Sequence, residues 1–198
     1  MSNDPESREQ RYERQTKEQY AAIGKFVVKF ELVCFYLRST MSNFLQSSGL
    51  KKQELARIVF GHRSMTADAL REVYMAMTVE LYGDNVVLKD FRSRFQRLTE
   101  KRNDIVHGTW FVGWASEDQE DFSAIRGFKD SISKSGSGFK PLPESVEKIA
   151  ALTREAEELG SLVSRLDGCF RCGFKVSKNF VQENGKWVVP RNAPPLSG

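Results

Sequence analysis

Apolar residues along this 198-residue chain recur mostly at three- and four-residue steps, the repeat that gathers them on one face of an α-helix. Ile23, Phe26, Phe30, Val33, Leu37, Met41 and Phe44 mark a first face, and Gln46-Ser47-Ser48-Gly49 ends it. A short helical turn is expected over Lys52 to Phe60. A second long helix starts at Ser64 or Thr66, either able to cap it, with Asp68 in the first turn. Its stripe is Leu70, Val73, Met77 and Leu81, and Gly83-Asp84-Asn85 stops it. A third helix spans Val86 to Gly108 on Leu88, Phe91, Phe95, Leu98 and Ile105. A fourth follows Pro141-Leu142-Pro143 on Ile149, Leu152, Ala156, Leu159, Val163 and Leu166. Each stripe is too apolar to face water along its length, so the helices are expected to bury their faces against one another.

Between the third and fourth helices the period changes. Trp110-Phe111-Val112-Gly113-Trp114 and Phe122 to Ile132 are aromatic and β-branched, with an acidic loop Glu117 to Asp121 between them, and predict two short antiparallel strands. Ser135-Gly136-Ser137-Gly138 reads as a flexible link. Phe180 to Val189 carries a central Asn184-Gly185, a strong hairpin signal; this hairpin is a candidate to join the earlier strands in one small sheet. The expected fold is mainly α: an up-and-down helical bundle with a β insertion at about 110–139 and a C-terminal hairpin. The expected organisation is a polar extension over 1–16, the bundle over 17–168, and a basic tail over 169–198 with its hairpin at about 178–189. Pro190 to Gly198 reads as unstructured, and no second domain boundary or repeat is visible.

Hydrophobic residues at 40% and charged residues at 28% are ordinary globular values, which excludes wholesale disorder. The start is polar through Gln19, unlike a secretory signal. The apolar stretch Ala21 to Leu37 is broken by Lys25, Lys29 and Glu31, unlike a membrane span. A cytoplasmic protein without membrane contact is expected. The net charge of +4 is modest, so its distribution says more. Lys89, Arg92, Arg94, Arg97, Lys101 and Arg102 cluster against Asp90 and Glu100; Arg171, Lys175, Lys178, Lys186 and Arg191 cluster in the tail. Such clusters are commonly solvated surface, but two of them favour a phosphate-bearing partner. The three cysteines give no disulfide framework. Cys169 and Cys172 form a lone CxxC, and Cys34 falls in an apolar stripe, so the four ligands of a zinc site are missing. Reduced thiols at a helix end are the reading, with a zinc shared between subunits or a redox role as alternatives. No cofactor or metal motif is present.

The candidate chemistry lies in Arg102-Asn103-Asp104-Ile105-Val106-His107, followed by Gly108, near the end of the third helix. A His moves protons near neutral pH, and an Arg holds an anionic phosphorus centre with a planar fork of donors. Arg102 falls between Leu98 and Ile105 on the apolar stripe, where a guanidinium needs acceptors, an exit to water or a second surface. Asn103 and His107 share a face, so the amide can orient the imidazole or a bound phosphate. Five residues turn Arg102 from His107 by roughly 140°, so two copies around a dyad would converge them better than one helix. The rival reading is structural: His107 at a helix C-terminus and Arg102 paired with a nearby acid. The other histidine, His62, reads as a loop residue, with Arg63 beside it as a conceivable phosphate contact.

The R-N-x-x-x-H pattern in an all-helical chain resembles the HEPN family of RNA-cleaving and nucleotide-binding helical domains, over roughly Lys17 to Leu166 in architecture and about seven residues in motif. The resemblance implies a homodimer and metal-independent RNA cleavage by 2′-OH attack, without a cofactor. Arg102 would stabilise the transition state, His107 would move the proton and Asn103 would position either one. It also implies toxin–antitoxin or antiviral defence roles, with an antitoxin or nucleotidyltransferase as partner. Where toxin-type members carry a Tyr two residues beyond the His, this chain has Thr109. Candidate RNA contacts are Arg94, Arg97, Lys101, Lys178, Lys186 and Trp187, with Phe180 a further stacking residue. The alternative is a non-catalytic HEPN-like binding or scaffold protein for a protein, nucleotide or RNA partner.

Overall fold

The computed structural model describes residues 6–114, 120–133, 136–142 and 144–193. The elements are helices α1 (Arg8–Ser47), α2 (Gln53–Phe60), α3 (Ala67–Tyr82), α4 (Val86–His107) and α5 (Val146–Cys172), and strands β1 (Thr109–Phe111), β2 (Ala124–Ser133), β3 (Gly136–Pro141), β4 (Glu144–Ser145), β5 (Val181–Glu183) and β6 (Lys186–Val188). The chain is therefore mainly helical with small antiparallel sheets. None of its helices, among the described residues, is long and apolar enough to cross a membrane. It divides into two compact units, Met1–Val28 with Glu100–Arg154, and Lys29–Thr99 with Glu155–Gly198. The three crossings between them fall inside helices α1, α4 and α5, which is why composition betrays no linker.

The larger stretch of helix packing belongs to the second unit. Phe30 of α1 stacks on Phe95 of α4, Phe44 of α1 stacks on Tyr74 of α3, and Tyr74 meets Phe91 of α4 edge-on. Tyr82 stacks on Phe170 of α5 at 4.1 Å between centroids. Rings from four helices thus touch in succession, each burying a large apolar area and adding specific geometry to it. The buried face of α3 is Leu70, Arg71, Tyr74, Met75 and Thr78, rotated from the expected stripe: Val73 and Met77 are half-buried and Leu81 is exposed. The amphipathic Tyr74 ring, seated between Phe44 and Phe91, sets that rotation. Thr66 caps α3, accepting from the Ala69 N–H, and Gly83 ends it at φ 78°.

Arg94 of α4 lies fully buried in this unit. Its Nε donates to Glu155 Oε1 at 2.6 Å, Nη2 to Glu158 Oε2 at 2.7 Å, and Nη1 to Asp90 Oδ2 at 3.3 Å and to the Trp187 carbonyl at 2.9 Å. The Trp187 N–H donates to Asp90, and Lys186 bonds Glu155. The hairpin β5–β6 turns on Asn184 (φ 49°) and Gly185 (φ 75°), as the Asn-Gly pair predicts. It does not join the earlier strands: it forms a two-stranded sheet of its own, fastened to α4 and α5 through Arg94.

In the first unit α1 begins at Arg8, well inside the expected polar extension. Ser7 and Gln10 form a reciprocal capping box, and Arg14–Glu18 and Lys17–Glu13 pair along the helix surface. Tyr12 packs edge-on against Phe122 and donates to the Gly113 carbonyl, while Gln19 donates to the Phe122 carbonyl. The sheet runs β1-β2-β3, all antiparallel, with β4 also on β2. Gly136 to Gly138, expected as a link, are paired strand, because β2 continues to Ser133 and offers them a partner. Residues 117–119 of the acidic loop and 194–198 of the tail lie outside the described residues.

Arg94→Ala should destabilise the protein by roughly 3–5 kcal/mol, because it strips a buried charge network of its centre; urea denaturation checks this. Burial pushes the Glu155 carboxyl up, but hydrogen bonds and charge from Arg94 and Lys186 outweigh it and hold the group below its ordinary value of 4.5. Its contribution is therefore complete above that value and is lost as pH falls through the lowered one. Denaturation midpoints of Glu155→Gln should fall less steeply on acidification than those of wild type.

Candidate active site

The motif occupies the last two turns of α4 in the first unit. Ile105 is buried and anchors this end of the helix. The Trp110 indole N–H donates to the Ile105 carbonyl at 2.7 Å, closing one of the helix's terminal acceptors. Gly108 follows the helix because nothing larger fits: a Cβ there would stand 2.6 Å from the Asp104 carbonyl oxygen and 2.8 Å from Leu142 Cδ1. Across the sheet, the Trp110 ring lies over Gly127, where a Cβ would come within 2.6 Å of the ring. Those two glycines allow the helix end and β2 to close around one indole.

Asp104 is the electrostatic hinge of the motif. Lys140 Nζ donates to its Oδ2 at 2.8 Å and Lys129 Nζ to its Oδ1 at 3.1 Å. Burial raises the Asp104 carboxyl, but the two ammonium groups outweigh it and keep the group below its ordinary range. Lys129 and Lys140 are direct cross-strand partners on β2 and β3, so one carboxylate relieves their repulsion and fixes the sheet to α4.

Arg102 is half-buried and its Nη1 donates to the Asn103 Oδ1 at 3.3 Å. Of the two roles open to Asn103, the contact observed is with the Arg. His107, the last residue of α4, is exposed. The structure thus brings Arg102 and Asn103 together and leaves the imidazole accessible a turn further on. Arg102 and His107 stand roughly 140° apart around the helix axis, so this one helix supplies an anion-binding guanidinium and a proton-transferring imidazole without converging them on one point.

Among the candidate RNA contacts, Lys101 is exposed and reaches Glu144 at 3.3 Å. In the other unit, Arg97 and Lys178 are exposed. Arg94 is not a surface cation, since its donors are taken by Asp90, Glu155 and Glu158. Lys186 is drawn to Glu155, and Trp187 is half-buried with its backbone engaged. Phe180, expected as a stacking residue, is core. His62 Nδ1 lies 2.7 Å from Ser64 Oγ within its turn. Cys34 and Cys169 are buried and Cys172 is exposed; among the described residues no three His, Cys, Asp or Glu side chains gather as a metal site. A groove of 1240 Å³ in the second unit, lined by Tyr36, Gly160 and Arg165 among others, contains none of the motif residues.

Sequence reasoning overlooked Lys129 and Lys140. They lie 25 and 36 residues beyond Asp104, and no local signal in the motif points to them. No protein-family model matches the chain, and no curated protein or solved structure matches it.

Gly108→Ala should lower stability by roughly 1–3 kcal/mol, as overpacking does, and should disturb the α4 terminus first. Hydrogen exchange of the Val106, His107 and Thr109 amides should rise before that of the aromatic core.

Proposed function

We propose that this protein is a HEPN-type, metal-independent endoribonuclease acting as a homodimer. The observation that carries the reading is the pairing of half-buried Arg102 with Asn103 one turn from exposed His107, at a helix end held by Asp104 and Trp110.

In this reading a ribose 2′-OH of RNA attacks the adjacent phosphorus. The 2′-oxygen–phosphorus bond forms, the phosphorus–5′-oxygen bond breaks, and the 2′ proton passes to a base while the leaving 5′-oxygen gains one. Products end in a 2′,3′-cyclic phosphate and a 5′-OH. Imidazole proton transfer contributes typically about 10²–10⁴-fold. Arg102 stabilises the negative charge that grows on the phosphoryl oxygens, with Asn103 holding its fork in place. Because roughly 140° of helix separates Arg102 from His107, the complete site takes residues from two copies around a dyad. A toxin or antiviral role, with an antitoxin or nucleotidyltransferase partner, belongs to the same proposal. A modification two residues beyond the His would fall on the Thr109 hydroxyl, at the exposed start of β1.

Arg102→Ala and His107→Ala should each abolish cleavage of single-stranded RNA without lowering the melting temperature by more than a degree or two. EDTA should leave cleavage unchanged, and 2′-deoxyribose at the cut site should block it. Light scattering should give twice the monomer mass at micromolar concentration. Full activity in His107→Ala, or a wild type that never cleaves while His107→Ala melts earlier, would assign the motif a structural role in a scaffold protein.

A further inference from the structure

Helix α2 carries apolar side chains on two sides, and only one of them is packed. Ala56 and Phe60 are 1% and 4% exposed and seat the helix on the second unit, where Arg38 Nε donates to the Phe60 carbonyl at 3.2 Å. Away from that contact, Leu55, Ile58 and Val59 stand 49%, 68% and 53% exposed. At about 100° per residue the three share one arc of roughly 100°. Ile58 lies about 180° from the midpoint of Ala56 and Phe60, so it points straight outward. Single exposed aliphatics are ordinary, whereas a contiguous patch with a polar rim marks a contact surface.

We infer that this face docks on the surface of an anionic lipid bilayer. Its rim is basic: Lys51 and Lys52 precede the body of the helix, Arg57 lies within it and Arg63 follows, all four exposed. None of them is ion-paired among the described residues, and Glu54 is the one acid between Lys51 and Arg63. Unlike the basic run on α4, this cluster keeps its charge. Alkyl side chains that enter the headgroup layer, with cations held at its surface, are the pattern of a helix lying in the membrane interface. Each Lys or Arg beside an anionic leaflet adds to the attraction.

Other occupants fit less well. The patch offers at most a few hundred Å², whereas each partner in a standard protein–protein interface gives about 800 Å². A bilayer sets no such minimum, because shallow insertion and charge attraction add residue by residue. A second copy meeting the same face about a dyad would bring the cations of both copies together. Nucleic acid would use the charges but leave the aliphatics idle, since Phe60, the one Phe, Tyr or Trp between Lys51 and Arg63, is buried and cannot stack. No helix among the described residues can cross a membrane, so the contact is with its surface alone. The expectation of no membrane contact rests on the lack of a span, a signal that a surface helix of eight residues does not carry. This face lies in the second unit and does not rest on the ribonuclease reading of the Arg102 motif in the first.

The test co-sediments the full-length protein with vesicles of equimolar phosphatidylcholine and phosphatidylglycerol, and with pure phosphatidylcholine vesicles. The anionic vesicles should bind about tenfold more tightly or better, and added salt should erase the difference. Lys51→Gln combined with Lys52→Gln should weaken binding by about fivefold for each charge removed. Ile58→Ser should weaken it by about tenfold, Ile58→Leu should bind as wild type does, and Glu54→Gln should bind more tightly. All these positions are exposed, so melting temperatures should not move. Binding to neither vesicle, equal binding to both, or an affinity unmoved by the lysine variants or by Ile58→Ser overturns the proposal. So does loss of a dimer in Ile58→Ser by light scattering, which would make the face a contact between copies. An oligouridylate that depends on the same lysines while vesicles do not bind would assign the rim to nucleic acid and overturn it as well.

Discussion

Burial of the Arg94 guanidinium constrains the second unit more tightly than any single apolar contact. Three carboxylates and one carbonyl surround it, contributed by Asp90, Glu155, Glu158 and Trp187. Taking such a charge from water costs several kcal/mol unless nearly every donor is satisfied. The network is satisfied only when α4, α5 and the β5–β6 hairpin are all in place. Apolar stripes allow helices to slide by a turn at modest cost; the acceptors of one guanidinium do not. Burial of aliphatic and aromatic side chains therefore supplies the attraction, and Arg94 supplies the register.

The same residue shows why a cluster of charges is harder to read from sequence than the span of a helix. Helices α2 to α4 lie within a residue or two of their expected spans, because the signals that bound them are local, whereas α5 runs on to Cys172, past the expected start of the tail at 169. The run Lys89 to Arg102 reads as a basic face, yet Lys89 pairs with Asp84, Arg92 with Glu72, Arg94 with three acids and Lys101 with Glu144. Most of those partners lie distant in sequence, so nothing in the run itself reveals that it is largely neutralised. The rotation of α3 escaped for a related reason. Tyr74 counts as amphipathic in a periodic reading, but its ring is enclosed between Phe44 and Phe91.

At the candidate site the legible part was again local. Arg102, Asn103 and His107 are recognisable because their types and spacing lie within six consecutive residues. The supporting framework was not legible, since Asp104 is tied to lysines 25 and 36 residues further on. Strand β3 was hidden by its own composition: Gly136 and Gly138 have weak β propensity and pair only because β2 extends far enough to hold them.

That dependence on β2 reaches both faces of the sheet through a single constraint. Side chains alternate along a strand, so a slip of one residue exchanges the faces completely. In the observed register Gly127 accommodates the Trp110 ring and Lys129 meets Asp104, which obliges Arg126 and Phe128 to face outward beside Phe111 and Phe139. A slipped strand would set the Phe128 ring against the Asp104 carboxylate and crowd a side chain into the indole. The indole that closes the end of α4 thereby also determines which residues of the opposite face meet solvent. The closure of the α4 terminus and the outward facing of Phe111, Phe128 and Phe139 are two results of one packing choice, made at a glycine.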